Sequence, residues 1–452
     1  MPGGLAQLAD LVDSKNGFVS ARIFADQQLY ERELETVFGD SWLFVAHESE
    51  VPHPGDFVTR YMGEDPVIVC RGRDDQVRVL LNVCRHRGRK LCLEDAGNIR
   101  TFQCAYHGWT YNEAGELTGV PFFDAYQGKL DKASLGLHQA ARVETCFGLI
   151  FATWSDCAPP LSGYIGEELA WMMRILFDRT AHVEVAGPPM RWTVDANWKL
   201  GAANFSGDGH HLPTTHGYGA ALGLDASRGH RIGYVLHTDE GHCSQMRYCP
   251  PGTIDTPPYL GLPEALWPEV DARLSPEQLD VMNSHLSYSG NIFPNLSFLC
   301  VATVGFLNTE WQPETADRPV VSFLTIRQWQ PRGPDGMEVW SWQLLDRDVP
   351  ESWKEASRVC YERAFGMAGL HEQDDVENWA AITEAVRSPR ARQLRLNYQM
   401  CMEATPAPDW RGPASAYASP SFSEINERAF YDAWLRRMAS PTIPLPQAGE
   451  AR

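Results

Sequence analysis

Two short stretches bring cysteine and histidine together: CRHRG at 84–88 and CAYHGW at 104–109. Their ligand-type residues run Cys84-x-His86, seventeen residues, then Cys104-x-x-His107. Thiolate and imidazole are side chains that hold zinc and iron. Two Cys and two His suit a tetrahedral structural zinc, but zinc fingers usually put both cysteines in one arm and both histidines in the other. One of each per arm is the arrangement of a Rieske [2Fe–2S] cluster, where two thiolates hold one iron and two imidazoles the other. Gly88, Gly108 and Trp109 fit tight loops whose backbone amides approach the cluster sulfurs.

A second constellation stands at 204–217, NFSGDGHHLPTTHG. Read as helix, Asn204, Asp208 and His211 fall at i, i+4 and i+7, on one face. Pro213 disfavours helix for Leu212, so a kink there lets His216 swing towards His211. A lone histidine is usually a satisfied core or surface residue. Two at this spacing beside an aspartate favour a metal. The third ligand is sought in HEQDDVENWAAITEAV, 371–386. As helix it sets Asp375, Trp379, Ile382 and Val386 on one buried stripe, and a buried carboxylate needs a cation or several donors. Asp374 points elsewhere on the wheel and suits a helix N-terminus. Two histidines and one carboxylate form the facial triad of non-haem Fe(II) oxygenases, which leaves positions open for O2.

These residues need a scaffold. Residues 26–38 read as an amphipathic helix. From 42 to 155, short apolar runs (WLFVA, DFVTRYM, PVIVC, VRVLLNVC, TFQCAY, GLIFATW) alternate with Pro, Gly and Asp clusters, as in a small all-β module. The Pro pair of SDCAPPLSG marks its exit. AWMMRILF, SPEQLDVMNSHL and PESWKEASRVCYERAF then read as helices. NLSFLCVATVGFLN, RPVVSFLTIRQWQ and MEVWSWQLLD read as antiparallel strands of one sheet. The tail from 404 to 423 reads as loop. The expected fold is α+β: an all-β Rieske [2Fe–2S] domain (41–158) inserted near the N-terminus of a catalytic domain. Residues 1–40 form the helical start of that domain, and 159–452 form its mononuclear-iron part, an antiparallel sheet flanked by helices.

The 452 residues carry a net charge of −19 and are 44% hydrophobic. That balance argues against nucleic acid or anionic membrane as the main partner. It suits a neutral or weakly charged small substrate. No apolar run reaches membrane-span length, and the N-terminus lacks a secretory pattern. A cytoplasmic location is expected, where clustered Cys and His bind metal rather than form disulfides. GYGAALG at 217–223 is not a GxGxxG nucleotide motif, and no second iron–sulfur motif is found. The chain therefore has no evident way to take electrons from NAD(P)H itself.

With these motifs in view, the sequence resembles the large (α) subunit of Rieske non-haem iron ring-hydroxylating dioxygenases. The likeness covers nearly the whole chain. It includes WLFVAHESEVPHPGDFVTRYMGEDPVIV, both Cys–His arms, NWKLGAANFSGDGHHLPTTHG, NIFPNLSFL and RAFGMAGLHEQDDVENW. The family pattern D-x-x-H-x4-H falls on Asp208, His211 and His216, and the family's later iron-binding Asp falls on Asp375. The resemblance implies that Asp208 is a bridge rather than a ligand. It would accept hydrogen bonds from His211 and from His107 of a neighbouring subunit, so that electrons pass by way of His107, Asp208 and His211. It further implies addition of both atoms of O2 to an aromatic ring, giving a cis-dihydrodiol. Ferredoxin and an NAD(P)H-dependent reductase would supply the electrons, and the oligomer would be α3 or α3β3 with a small β subunit.

By the same alignment, Asn204, Phe205, Leu212, Leu299 and Phe365 line a mostly apolar pocket. Ordinary core is the competing reading for each. His371 stands where relatives carry an aromatic or aliphatic residue, which allows an oxygenated aromatic substrate. His210, where Tyr is frequent, is left off the metal. Three other readings compete. They are a Rieske mono-oxygenase (an O-demethylase or aromatic-acid hydroxylase), a Rieske-type electron carrier, and a zinc-stabilised binding protein. The extra ~300 residues argue against the carrier, and the EQDD-x-x-NW run favours the dioxygenase branch.

Overall fold

The computed structural model describes residues 8–217, 232–248, 256–303, 321–413, 416–419 and 423–442. The chain divides into two compact units, Leu34–Leu161 and a second formed by the residues up to Glu33 together with Ser162–Ser440. The division falls inside helix α1, Gln27–Asp40.

After the second half of α1, the unit Leu34–Leu161 is all β apart from short helical turns. A four-stranded antiparallel sheet runs in the order Val77–Leu81, Asp65–Arg71, Asp56–Met62, Ala96–Asn98. A small three-stranded sheet (Leu117–Gly119, Thr110–Asn112, Thr101–Gln103) carries the second Cys–His arm at its edge. The hairpin Arg142–Cys146/Leu149–Thr153 pairs Cys146 with Leu149. That leaves a two-residue turn, Phe147–Gly148, with φ of 51° and 78°. Positive φ at both positions is what such a turn needs to match the strand twist. Ile68, Leu80, Phe102, Trp109, Tyr111 and Leu137 pack into one core that also buries Cys84 and Cys104.

The second unit is built on a nine-stranded antiparallel sheet. Its strands are β1 (Val183–Val185), β2 (Met190–Val194), β3 (Ile232–His237), β4 (Cys243–Tyr248), β5 (Ser287–Ile292), β6 (Leu296–Thr303), β7 (Val321–Pro331), β8 (Met337–Asp346) and β9 (Tyr417–Ser419). They lie in the order β1-β8-β7-β6-β5-β4-β3-β9, with β2 also on β8. β9 corrects the reading of 404–423 as loop. Three residues are too few for a periodic signal, and the strand exists because it pairs with β3, some 180 residues earlier. The other helices and strands expected from sequence are present where they fall among the described residues.

Successive side chains of a strand alternate between faces. One face is covered by helix α2, Leu161–Phe177, with Phe177 edge-on to Phe298 at 5.9 Å. The other face receives α3 (Trp198–Gly207) and α5 (Glu351–Phe365). Gly201 of α3 lies flat on the Trp329 ring, where a Cβ would come within 2.6 Å. On α5, Tyr361 and Ser357 hydrogen-bond to Ser341 and Gln343 of β8.

Helix α3 is further held by a buried charge cluster. Glu33 takes the Lys199 ammonium at 2.5 Å and the indole N–H groups of Trp198 and Trp434 at 2.9 Å each. Both charged groups are wholly buried, and this set of donors is what makes burying the carboxylate tolerable. Among the described residues no helix is long and apolar enough to cross a membrane.

Candidate metal centres

The two Cys–His arms are the same loop used twice. The Cys84 N–H donates to the Arg89 carbonyl and the Gly88 N–H to the Cys84 carbonyl, both at 2.9 Å. Likewise the Cys104 N–H donates to the Trp109 carbonyl and the Gly108 N–H to the Cys104 carbonyl, both at 2.8 Å. Gly88 and Gly108 close these turns with φ of 73° and 74°, where other residues are strained. The rings of His86 and His107 meet edge to face at 4.5 Å, and His86 stacks on Trp109. The buried Nδ1 of His86 has no partner among the described residues. Burial, reinforced by the adjacent Cys104, pushes the Cys84 thiol above its ordinary value.

Among the described residues, three or more ligand atoms gather within 4.8 Å of one another only around His216. The four residues of the arms therefore do not close on one ion, as tetrahedral zinc with ligands roughly 3–4 Å apart would require. Twin loops offering two thiols and two imidazoles fit a [2Fe–2S] cluster, whose irons are separately ligated. Tyr111, not singled out from sequence, belongs to this site. Its hydroxyl accepts from the Arg85 N–H at 3.1 Å and lies 3.6 Å from Cys84 Sγ. Only its place two residues after Trp109 hinted at this. Outside the arms lies a depression of about 460 Å³ lined by His86, Tyr106, His107, Trp109 and Phe122. Phe122 is 88% exposed there.

In the second unit, Asn197 caps α3 through its side chain, which accepts from the Lys199 N–H at 3.1 Å. The helix stops at Asp208 (φ −66°, ψ 83°), whose N–H donates to the Asn204 carbonyl at 3.1 Å. This corrects the expected position of the kink. The chain leaves helix at Asp208, flanked by Gly207 and Gly209, and not at Leu212. Leu212 begins a second short helix, α4 (Leu212–Thr215), with Pro213 in its first turn. Proline is tolerated there because its missing N–H has no helical partner in any case. The break turns His211 back towards His216, and their rings stand 5.0 Å apart.

The carboxylate comes from α6, Leu370–Val386. Asp375 is buried, and its Oδ1 lies 3.5 Å from His211 Nε2 and 3.2 Å from His216 Nε2. Among the described residues, His211, His216 and Asp375 are one of two trios whose ligand atoms converge. The expected stripe holds at Asp375, Trp379 and Val386 but not at Ile382, which is 38% exposed. Thr383 takes the buried place, its hydroxyl accepting from the Asn197 N–H at 3.1 Å. Glu372, also missed, is buried on this helix and paired with Arg327 of β7. The other trio is His216, His371 and Asp374. Asp374 does not simply serve the helix terminus: its Oδ2 lies 3.1 Å from His216 Nδ1. His216 thus offers one nitrogen to each adjacent aspartate.

Asp208 sits between two imidazoles. Nδ1 of His211 is 3.2 Å and Nδ1 of His210 is 3.1 Å from the same Oδ1. Burial pushes the Asp208 carboxyl up, but the two histidines outweigh it and hold it below its ordinary value. Burial pushes His211 down, and Asp208 and Asp375 overcome that and raise it. This local excess of carboxylate favours positive charge between the rings, as a metal would supply. His210 joins neither trio.

The pocket candidates divide. Phe205 and Phe365 meet at 6.2 Å, Phe365 lies 5.4 Å from His371, and His371 lies 4.6 Å from His216. These four form one continuous run of ring contacts ending at His216. Leu299 lies on β6 in the sheet. Asn204 enters through its carbonyl, and Leu212 opens α4. Beyond Gly217, the glycine-rich run 217–223 lies outside the described residues.

The sequence matches two protein families: the Rieske [2Fe-2S] domain over residues 41–134 and the ring hydroxylating alpha subunit (catalytic domain) over residues 177–440. It is 37% identical to the alpha subunit of biphenyl 2,3-dioxygenase from Rhodococcus jostii (strain RHA1), over 96% of this chain and 92% of that one. It is 34% identical to the alpha subunit of an N,N-dimethyl phenylurea N-demethylase from Sphingobium sp. (strain YBL2), over 94% and 92%. Among solved structures, naphthalene 1,2-dioxygenase from Rhodococcus sp. bound to indole superposes with a TM-score of 0.88 at 39% identity, covering 96% of this chain and 98% of that one.

Proposed function

The chain belongs to the Rieske ring-hydroxylating dioxygenase α-subunit family, and from that premise we propose that it adds both atoms of O2 to an aromatic ring, giving a cis-dihydrodiol. His211, His216 and Asp375 hold the mononuclear iron; Cys84, His86, Cys104 and His107 hold the cluster. When bound, the cluster supplies single electrons and the iron activates O2. The convergence of His211, His216 and Asp375 on one point carries this reading.

The protein's own residues then have definite tasks. Asp374 accepts the Nδ1 proton of His216, leaving Nε2 as the free lone pair, and so orients the ring. Asp208 accepts the His211 backbone N–H at 3.4 Å and lies 3.2 Å from its Nδ1, so it holds that ring in place. As an acceptor-only group it also has capacity for an imidazole N–H of the partner subunit's His107. Phe205, Phe365 and His371 shield and orient the arene beside His216. The oligomer is α3 or α3β3. Ferredoxin, reduced through an NAD(P)H-dependent reductase, delivers electrons to the unit carrying the two arms. The apolar depression beside His86 and His107 supports docking there.

The test is product analysis under ¹⁸O2 with ferredoxin, reductase and NADH, offering monocyclic, biaryl and polycyclic arenes. Two labelled oxygens in a dihydrodiol are expected. The demethylase relative favours a second reading, mono-oxygenation. Incorporation of a single labelled oxygen, or release of an aldehyde from an N- or O-alkyl group, would establish that instead.

A further inference from the structure

The sheet beside the metal trio is polar where a hydrocarbon pocket would be apolar. On the face covered by α3 and α5, Leu299 of β6 stands opposite Ser289 of β5, and Ser289 opposite Gln245 of β4. One row on, Arg247 stands opposite Ser287. That row also contains Phe323 of β7, whose ring lies 6.2 Å from Phe365. Phe365 leads through His371 to His216, so the row is linked by ring contacts to the metal trio.

Two residues of this patch, Gln245 and Ser287, each carry a buried oxygen without a counterpart. Gln245 and Ser287 are each 1% exposed, and neither Gln245 Oε1 nor Ser287 Oγ has a hydrogen-bond partner among the described residues. Their neighbour Ser289 is engaged, its hydroxyl accepting from Arg247 at 3.4 Å. A buried amide oxygen without a donor is costly, and a ligand that brings one would relieve it. An amide oxygen calls for a donor, whereas a serine hydroxyl gives or takes. A group that does both matches the pair, and Gln245 and Ser287 are diagonal neighbours within reach of one substituent.

Resting on the oxygenase reading, we propose that Gln245 and Ser287 recognise a hydroxyl group on the arene, so that the preferred substrate is a hydroxylated aromatic rather than the parent hydrocarbon. The hydroxyl donates to Gln245 Oε1 and accepts from Ser287 Oγ. A carboxylate, having no proton to give, leaves Gln245 unsatisfied.

The test is calorimetric binding to the metal-loaded protein, without reductant, of biphenyl and of its three monohydroxylated isomers. At least one isomer is expected to bind about tenfold or more tightly than biphenyl, the worth of one or two buried hydrogen bonds. Gln245→Leu and Ser287→Ala should each shrink that preference to about threefold or less. Biphenyl binding as tightly as every isomer would overturn the proposal, as would a preference that survives both substitutions. The wild-type comparison needs no variant, so a substitution that fails to fold leaves the test standing. A hydroxyl preference without oxygenation of any compound would overturn the oxygenase reading and leave this one in place.

Discussion

His216 donates through Nδ1 to Asp374 at 3.1 Å while its other nitrogen faces the next residue, Asp375. Two consecutive aspartates on one helix therefore act on opposite edges of one imidazole. Residues 100° apart on a helix seldom share a target, and here they do because the ring stands between their two directions. If His216 is an iron ligand, Asp374 fixes which nitrogen is free to bind.

Asp374→Ala should weaken iron binding by roughly 10–100-fold, the usual cost of losing such a partner, while Cys84, His86, Cys104 and His107 keep their cluster. Iron titration into apo protein checks this, with the cluster's visible spectrum as the internal control. Asp374→Asn should fall between. Unchanged affinity in both variants would remove Asp374 from the site.

Asp375→Ala and Asp208→Ala should separate cleanly. The first should lose the mononuclear iron and retain the cluster spectrum. The second should retain both metals and lose turnover. Metal analysis alongside single-turnover product yield distinguishes them, and full activity in Asp208→Ala would end the bridging role.

Glu372→Ala should destabilise the second unit by about 3–5 kcal/mol, because it leaves the buried Arg327 uncompensated. Arg327 also donates to the Phe365 carbonyl and lies over the Phe205 and Phe365 rings. Denaturant unfolding measures the loss, and iron content should drop with it since Glu372 and Asp375 share α6. Glu372→Gln, which keeps a hydrogen bond, should cost less.

Stability should fall as pH drops from about 6.5 to about 4. Burial holds His242 down at about 4, with Nε2 on the Tyr164 carbonyl and Nδ1 accepting the Phe293 N–H. His285 is held at about 4 by the same cause. In the unfolded chain both titrate near 6.5. Between the two values the unfolded form takes up protons that the folded form refuses, so each group lowers stability by up to about 1.4 kcal/mol per pH unit, with no further loss below about 4. The unfolding midpoint of His242→Gln should show a shallower pH slope than that of the wild type.

Local chemistry was legible in the sequence and spatial partnership was not. The arms were legible because each sets a Cys, a His and a Gly within five residues, and the two loops fold alike. Asp375 was readable because a carboxylate on an apolar stripe violates the helix pattern. Ile382 misled because hydrophobicity alone assigned it inward, whereas Thr383 is buried to hold the Asn197 N–H. Asp374 looked like a helix-terminus acid and Glu372 drew no notice, because their partners lie 158 and 45 residues away. The break at Asp208 was displaced because proline is the louder signal, although the glycines on either side govern the turn.

The Glu33 cluster has a consequence for the order of synthesis. The carboxylate leaves the ribosome early, but its last donor, Trp434, follows 401 residues later. The stretch Leu34–Leu161, both Cys–His arms included, is complete long before that. That unit can fold and acquire its cluster during translation. The catalytic unit has to keep Glu33 and Lys199 waiting until almost the whole chain is out. A ribosome stalled late in translation would then hold a completed β unit tethered to an unfinished catalytic unit.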